Sequence, residues 1–418
     1  MFTTKVNASG TYSQNWSKYN KAQVSEKQDF LMLLYQLCAG IDQPPQCQGR
    51  PSLSLRDIVF SVVYKVYSTC SSRRFISILQ EAYYAGYIGH VPHFNALSTY
   101  LMQEEMAWLL TRLVEISSLP LVEHETEFAV DSTGLSTDRY ARWVDEKEII
   151  HQKREWHKLH IMCARRSKII PAVVVTPSKD ADSPHFQTLF EITSRNFRML
   201  QVAADGAYYS RKNVLQVTRV GGVPYFLIPS PSLPSDGYKA SACNMVLYLY
   251  AKDRAGFFKN YYKRNNVETA FSMIRACLGT SLRSTSRVAQ YNEAICKVIC
   301  HNLRVLCRAM HEEDLSPNFE SVSSYVARIE EATHALAETL AGGRIIFPKR
   351  KRDITAEGLE LFRTGGKTSK TEKKIYSPQS ISQKEEMRQN IRVKNRTTSK
   401  DSITERGPQE EQLVLFER

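Results

Sequence analysis

Two short apolar runs, each delivering an aspartate, constrain this chain more than any other feature. Glu127-Phe128-Ala129-Val130 runs into Asp131, and Met199 to Ala204 runs into Asp205. Apolar runs this brief, bounded by polar segments, read as buried strands rather than helices. Between them, Trp156 to Ala164 and Lys168 to Thr176 are two more strand candidates around the polar turn Arg165-Arg166-Ser167, rich enough in β-branched residues (Val173-Val174-Val175) to predict a hairpin. Ser183 to Phe197 is expected to be a helix, with Ser183 as N-cap and Pro184 in its first turn. Tyr209 to Val220 reads as a helix and Val223 to Ile228 as a strand. Pro229, Pro231 and Pro234 place a loop over residues 229–239, and a long helical region follows from about Ala240 to Met310, broken near Leu278-Gly279.

Strand, hairpin, helix, strand, helix, strand, helix is an α/β layout, a mixed sheet flanked by helices. It is the order expected of a ribonuclease-H-like domain. Ahead of it, residues 1 to about 25 are polar and weakly patterned, and Phe30 to about Met106 reads as helical. Phe30, Leu31, Leu33, Leu34 and Leu37 make one apolar face, and Ser52-Leu53-Ser54-Leu55-Arg56-Asp57 looks like a helix start. Ile58, Val59, Val62, Val63 and Val66 follow, a third helix begins near Phe75, and a fourth follows Pro92. Short helices with short connections suit a helix-turn-helix type of DNA-binding unit, and equally a plain helical bundle. The chain is thus expected to hold a helical N-terminal domain (1–120), a catalytic domain (121–342) and a basic, polar, disordered tail (343–418) that opens on Pro348-Lys349-Arg350-Lys351-Arg352.

A net charge of +13 favours a polyanionic partner, nucleic acid being the commonest, although part of that charge belongs to the tail. No apolar run reaches the roughly 18 residues of a transmembrane helix. The N-terminus Met-Phe-Thr-Thr-Lys-Val-Asn lacks the apolar core of a secretory signal, so a cytoplasmic, nucleoid-associated protein is expected. Nine scattered cysteines, with no Cys-x-x-Cys pair, point to reduced thiols; Cys296 and Cys300, beside His301, sit in an apolar helical pattern and read as buried rather than metal-binding.

Each strand-end aspartate has an ordinary explanation, since Asp before Gly or Ser commonly caps a turn. Two of them in one domain mean more, because adjacent strand ends bring them together. The third carboxylate is Glu268. On a continuous helix, Tyr261, Arg264, Glu268 and Arg275 follow steps of three, four and seven and share one face, with Val267, Phe271 and Ile274 as the apolar stripe beside it. An exposed i,i+4 salt bridge between Arg264 and Glu268 would explain part of this pattern. A Tyr, two Arg and a Glu on one face also suit holding a metal ion beside a DNA phosphate. Lys158 and His160 in Trp156-His157-Lys158-Leu159-His160 either face DNA or line an ordinary hairpin surface. Asp180, Asp182 and His185 read as helix-capping residues, and Asn302 and Arg304 as part of a packed C-terminal helix.

These motifs resemble those of the DDE transposases of bacterial and archaeal insertion sequences, in the group marked by Tyr, two residues, Arg, three residues, Glu, six residues, Lys. Tyr261, Arg264 and Glu268 match, while Arg275 stands where the group usually has Lys. Val-Asp-Ser-Thr-Gly at Asp131 and Ala-Asp-Gly-Ala-Tyr at Asp205 are similar to the group's first and second acidic motifs. The resemblance implies that Asp131, Asp205 and Glu268 bind two Mg²⁺ ions, Mn²⁺ substituting, and are catalytic. It implies DNA contacts from Tyr261, Arg264 and Arg275, to which Lys263 and Lys158 are added as basic neighbours. Double-stranded DNA, as element ends and target, would be the partner, with a homodimer in the synaptic complex. The interval 206–267, with one strand and a proline-rich loop, leaves room for at most a small insertion before Glu268. The alternatives are a ribonuclease-H-like nuclease or resolvase that cuts without strand transfer, and an inactive DNA-binding regulator of transposition.

Overall fold

The structure is a computed structural model that describes residues 15–45, 52–144, 150–228 and 241–341. The chain divides into two compact units, Met1–Gly343 and Arg344–Arg418. The second unit, and with it the expected tail, lies outside the described residues, as does the proline-rich loop at 229–239.

Five helices come first: α1 (Trp16–Ala39), α2 (Leu55–Ser68), α3 (Ser72–Tyr84), α4 (Phe94–Leu101) and α5 (Glu105–Ser118). Ser54 caps α2 as the sequence suggests, its side chain accepting from Asp57 N, and Ile58, Val59, Val62, Val63 and Val66 are all buried. Two points differ from expectation. α1 begins at Trp16, well inside the stretch expected to lack pattern, because its first half is held by polar rather than apolar contacts: Lys18 with Asp314, Ser25 with His311, Glu26 with Arg304. And α5 extends the helical region past Met106 to Ser118.

The sheet is built from β1 (Glu127–Val144), β2 (Ile150–Ala164), β3 (Ala172–Pro177), β4 (Gln201–Ala204) and β5 (Val223–Phe226). Its order is β3-β2-β1-β4-β5, with the two-residue strand β6 (Ser281–Leu282) paired to the far part of β1. β1–β2 and β2–β3 are antiparallel, whereas β1–β4, β4–β5 and β1–β6 are parallel. Parallel neighbours need crossover connections, and α6 (His185–Asn196) and α7 (Arg211–Arg219) supply them. The hairpin expected from residues 156–176 is present as β2 and β3. β1 does not stop at Asp131 but continues to Val144 as a long antiparallel partner of β2.

The helical region after β5 is more broken than its sequence suggests. It comprises α8 (Ser241–Lys252), α9 (Arg254–Tyr261), a 3-10 turn at Tyr262–Arg264, α10 (Asn265–Leu278), α11 (Arg287–Glu312) and α12 (Val322–Ala341). The expected break after Leu278 is real: Gly279 has φ 78°, a left-handed value that favours glycine. α11 is the central wall. It packs against α1, α2 and α5 on one side and against β3 on the other, and the apolar core runs through it from Phe30 to Tyr325 without interruption. Cys296 and Cys300 are fully buried in it, as expected, and burial drives both thiol pKa values up. Its polar groups are spent on holding other elements in place. Asn302 Oδ1 accepts from Ile170 N (2.9 Å) while its Nδ2 donates to Ile170 O (2.8 Å) and Ser117 Oγ (3.0 Å). Lys297 Nζ donates to three carbonyl oxygens, of Leu278, Gly279 and Ser281, each at 2.9 Å. It thereby fixes the C-terminal end of α10 and the start of β6.

Candidate active site

The register of β1 and β4 places the two aspartates. The last paired residues are Val130 and Ala204, so Asp131 and Asp205 are the next residue on each of two adjacent parallel strands. Their local conformations match. Ser132 N donates to Asp131 Oδ1 at 2.8 Å, and Gly206 N donates to Asp205 Oδ1 at 2.7 Å. Each carboxylate has one oxygen tied to the backbone that follows it, leaving the other to reach outward. Asp131 is partly buried, and burial raises its pKa; Arg264 opposes that rise, and the negative charges of Asp205 and Glu268 add to it.

Arg264 binds the free oxygen of Asp131 through Nη1, and its Nη2 lies 3.1 Å from Glu268 Oε1. Burial disfavours the guanidinium charge, but Asp131, Tyr261 and Asp205 together more than offset this and raise its pKa. Its Nε is buried with no hydrogen-bond partner. Glu268 stands in the first turn of α10, 57% exposed at the side chain, where the helix N-terminus favours a negative charge. Tyr261, Arg264 and Glu268 do not ride one continuous helix. The 3-10 turn at Tyr262–Arg264 separates α9 from α10, and Lys263 within it is drawn to the base of the sheet, 3.1 Å from Glu127 Oε2 and 3.0 Å from Gln201 Oε1. Tyr261 and Arg264 still meet, with the guanidinium carbon 5.9 Å from the ring centroid.

The remaining candidates are placed as follows. Arg275 bonds Thr133 Oγ1 on β1, near the site's rim. Lys263 is committed to Glu127, which Arg165 also binds. Lys158 Nζ is 2.9 Å from Asp182 Oδ1 and 2.7 Å from Asp180 O. Asp182 therefore does not cap α6 with its side chain, and Ser183 does not either: Pro184 holds the N-cap position and no side chain caps the helix. His160 is fully buried between Tyr208 and Thr176, at 3.2 and 2.9 Å. Ser132 and Tyr208 carry no role in the sequence pattern, and Asp182, expected to cap a helix, pairs with Lys158 instead. Their signal was positional: Ser132 follows Asp131, Tyr208 follows Asp205 by three, and Lys158 and His160 alternate onto one face of β2.

The donor chemistry suits a hard divalent cation, since carboxylate oxygens are what Mg²⁺ or Mn²⁺ takes. Burial first, and then the charges of Asp205 and Glu268, raise the Asp131 pKa; a cation offsets both, as Arg264 does in part. Among the described residues no group of three His, Cys, Asp or Glu side chains is already gathered closely enough to hold a metal ion. Asp131 and Asp205 are the natural pair, and Glu268 would join them by turning from Arg264.

Fold and site together define an α/β protein with an acidic strand-end site walled by cationic side chains. Residues 123–303 match the family model of the transposase DDE domain. That stretch includes Asp131, Asp205, Tyr261, Arg264, Glu268 and Arg275. Among solved structures, the chain is similar to a piggyBac transposase in a synaptic complex with hairpin DNA, with 9% identity and a TM-score of 0.35 over 84% of this chain and 87% of that one. No curated protein sequence matches. No helix among the described residues is long and apolar enough to cross a membrane.

Proposed function

We propose that the chain is a DDE-type transposase that binds the ends of its element, cleaves a phosphodiester there and transfers the freed strand to target DNA. The observation that carries this reading is the placement of Asp131 and Asp205 one step beyond the last β1–β4 pair, within the stretch that matches the transposase DDE domain. The sheet order, antiparallel across β3-β2-β1 and parallel across β1-β4-β5, supports a ribonuclease-H-like catalytic domain over residues 121–342. Recognition of the ends is assigned to the helical segment 1–120, and the basic tail 343–418 adds non-specific phosphate affinity.

Asp131, Asp205 and Glu268 would hold Mg²⁺, or Mn²⁺ in its place; bound there, the cation neutralises phosphoryl charge and lowers the pKa of an attacking oxygen. Arg264, lying between Asp131 and Glu268, is in reach of a phosphate that approaches the same carboxylates, and its guanidinium can bind two phosphate oxygens at once. Tyr261 packs beside that guanidinium and limits its path. Arg275 and the lysines Lys263 and Lys158 extend the cationic surface, Lys263 and Lys158 only after leaving Glu127 and Asp182. Hydrolysis at the element end leaves a 3′-OH, and the same site then serves its attack on target DNA. Joining two ends requires at least a dimer in the synaptic complex.

The test is Mg²⁺-dependent nicking of element-end DNA by the wild-type protein and by Glu268→Gln. Loss of nicking in the variant, with end binding retained, is the expected result; equal nicking removes Glu268 from the mechanism. Supplying a precleaved end then separates strand transfer from simple hydrolysis, because a nuclease gives no joined product.

A further inference from the structure

The backbone ladder between β1 and β4 stops at Val130 and Ala204. No strand-to-strand hydrogen bond therefore sets the spacing of the next two residues, Asp131 and Asp205. Side chains alternate across a strand, so Ser132 points to the face of β1 opposite Asp131. On that face a chain of side-chain hydrogen bonds takes over where the ladder ends. Ser132 Oγ donates to Asp182 Oδ1 at 3.5 Å. The Tyr208 hydroxyl lies 3.2 Å from His160 Nδ1, and His160 Nε2 lies 2.9 Å from Thr176 Oγ1. Ser132 and His160 are direct register partners across β1 and β2. Asn213 anchors the far side, its Nδ2 donating to the Tyr208 carbonyl at 2.8 Å.

The direction of these bonds follows from counting donors. His160 is fully buried, and burial lowers its pKa to about 4, so the ring is neutral at neutral pH with one donor and one acceptor. The Thr176 hydroxyl donates to Pro177 O (3.4 Å). His160 Nε2–H then donates to Thr176, and Nδ1 accepts from the Tyr208 hydroxyl. The Tyr208 and Thr176 hydroxyl protons and the two ring nitrogens are each used once. A Phe and a Leu would fill this space without any polar group to satisfy, so the hydroxyl and imidazole serve something other than packing.

What they connect is informative. Ser132 is the residue whose backbone N–H holds Asp131 Oδ1, and Tyr208 closes the 3-10 turn Gly206–Tyr208 whose first N–H holds Asp205 Oδ1. The Tyr208–His160 bond thus couples the turn that steers Asp205 to β2 at the residue paired with Ser132, beside Asp131. We propose that Tyr208 and His160 are positioning residues that fix the separation of the Asp131 and Asp205 carboxylates by tying the Asp205 turn to β2 opposite Ser132, and thereby set the affinity of the site for its divalent cation. This rests on the metal-binding reading given above.

Mn²⁺ binding to the full-length, DNA-free protein, followed by the electron paramagnetic resonance of free Mn²⁺, tests it without turnover. The wild type should show a site that Asp131→Asn abolishes. Tyr208→Phe and His160→Leu should each weaken that site by about tenfold, the range expected when a group that orients a ligand is removed. The double variant should lose no more than either single one, because both act through one bond. His160→Asn, which keeps an acceptor near the Nδ1 position, should recover most of the affinity. Unchanged Mn²⁺ affinity in Tyr208→Phe, or additive losses in the double variant, overturns the positioning role and leaves the metal site standing. Absence of any Asp131-dependent Mn²⁺ site in the wild type overturns both. Should Tyr208→Phe fail to fold, His160→Leu, with His160→Asn as its rescue, carries the same expectation and is read the same way.

Discussion

α11 and the β1–β4 edge both keep polar groups from water, and they do so on opposite terms. On α11, Lys297 has three carbonyl acceptors and Asn302 uses both ends of its amide. At the β1–β4 edge, Arg264 is shared between two carboxylates with its Nε unpartnered, and Asp131 is pushed toward protonation by burial and by its acidic neighbours. Satisfied polar groups specify a structure; partly satisfied charges are kept where something else is to be bound. The difference separates residues that hold the fold from residues to which the proposed function gives the chemistry.

Asp131→Asn should give the largest effect: nicking of element-end DNA falls on the order of 10⁴-fold, as for a member of an interdependent catalytic set. The melting temperature should hold or rise, because a half-buried charge has been removed. A fall in melting temperature in step with activity would erase the distinction between the two regions. Asn302→Ala should do the reverse. It strands the Ile170 amide and carbonyl in the core and should cost about 3 kcal/mol in chemical denaturation, while leaving the activity per folded molecule intact.

Acid comes next. Burial lowers the pKa of His301, whose Nε2 donates to Lys168 O, to about 4, and His160 behaves likewise. A folded-state pKa below the unfolded value near 6.5 means that the unfolded chain takes up protons first. Stability is therefore complete above about pH 6.5 and falls as the pH drops toward 4, by roughly 2–3 kcal/mol per histidine. His301→Gln should flatten part of that decline in a denaturation series across this range. The smallest effect belongs to the Arg264–Glu268 pair. Glu268 is largely exposed, so Glu268→Gln should change stability by less than about 0.5 kcal/mol, a sharp contrast with its expected effect on nicking.

Much of the sheet could be read from the sequence because its signals are local. β4 and Asp205 follow from Val202-Ala203-Ala204 ahead of Asp205-Gly206, and α2 from Ser54 and its valine stripe. What escaped depends on partners far along the chain. The first half of α1 is fixed by residues of α11 and the turn after it, such as Arg304 with Glu26 and Asp314 with Lys18. The turn at Tyr262–Arg264 interrupts what looks like one helix while Lys263 reaches the base of β1 and β4. Periodicity brings Tyr261, Arg264 and Glu268 into one neighbourhood, yet it cannot show that Arg264 binds Asp131, which is 133 residues away. Asp182 was assigned to a helix start for the same reason: its partner Lys158 lies on another element.

The position of α11 in the chain also shapes how the protein is made. The helices that precede the sheet and the sheet itself share this wall, and it ends only at Glu312. A ribosome adding about 5–20 residues per second must finish α11 before either part can close its core. For tens of seconds the growing chain would hold its apolar faces open beside the message that encodes it. Both parts would then dock on α11 almost together, so the site becomes competent late and in a single step.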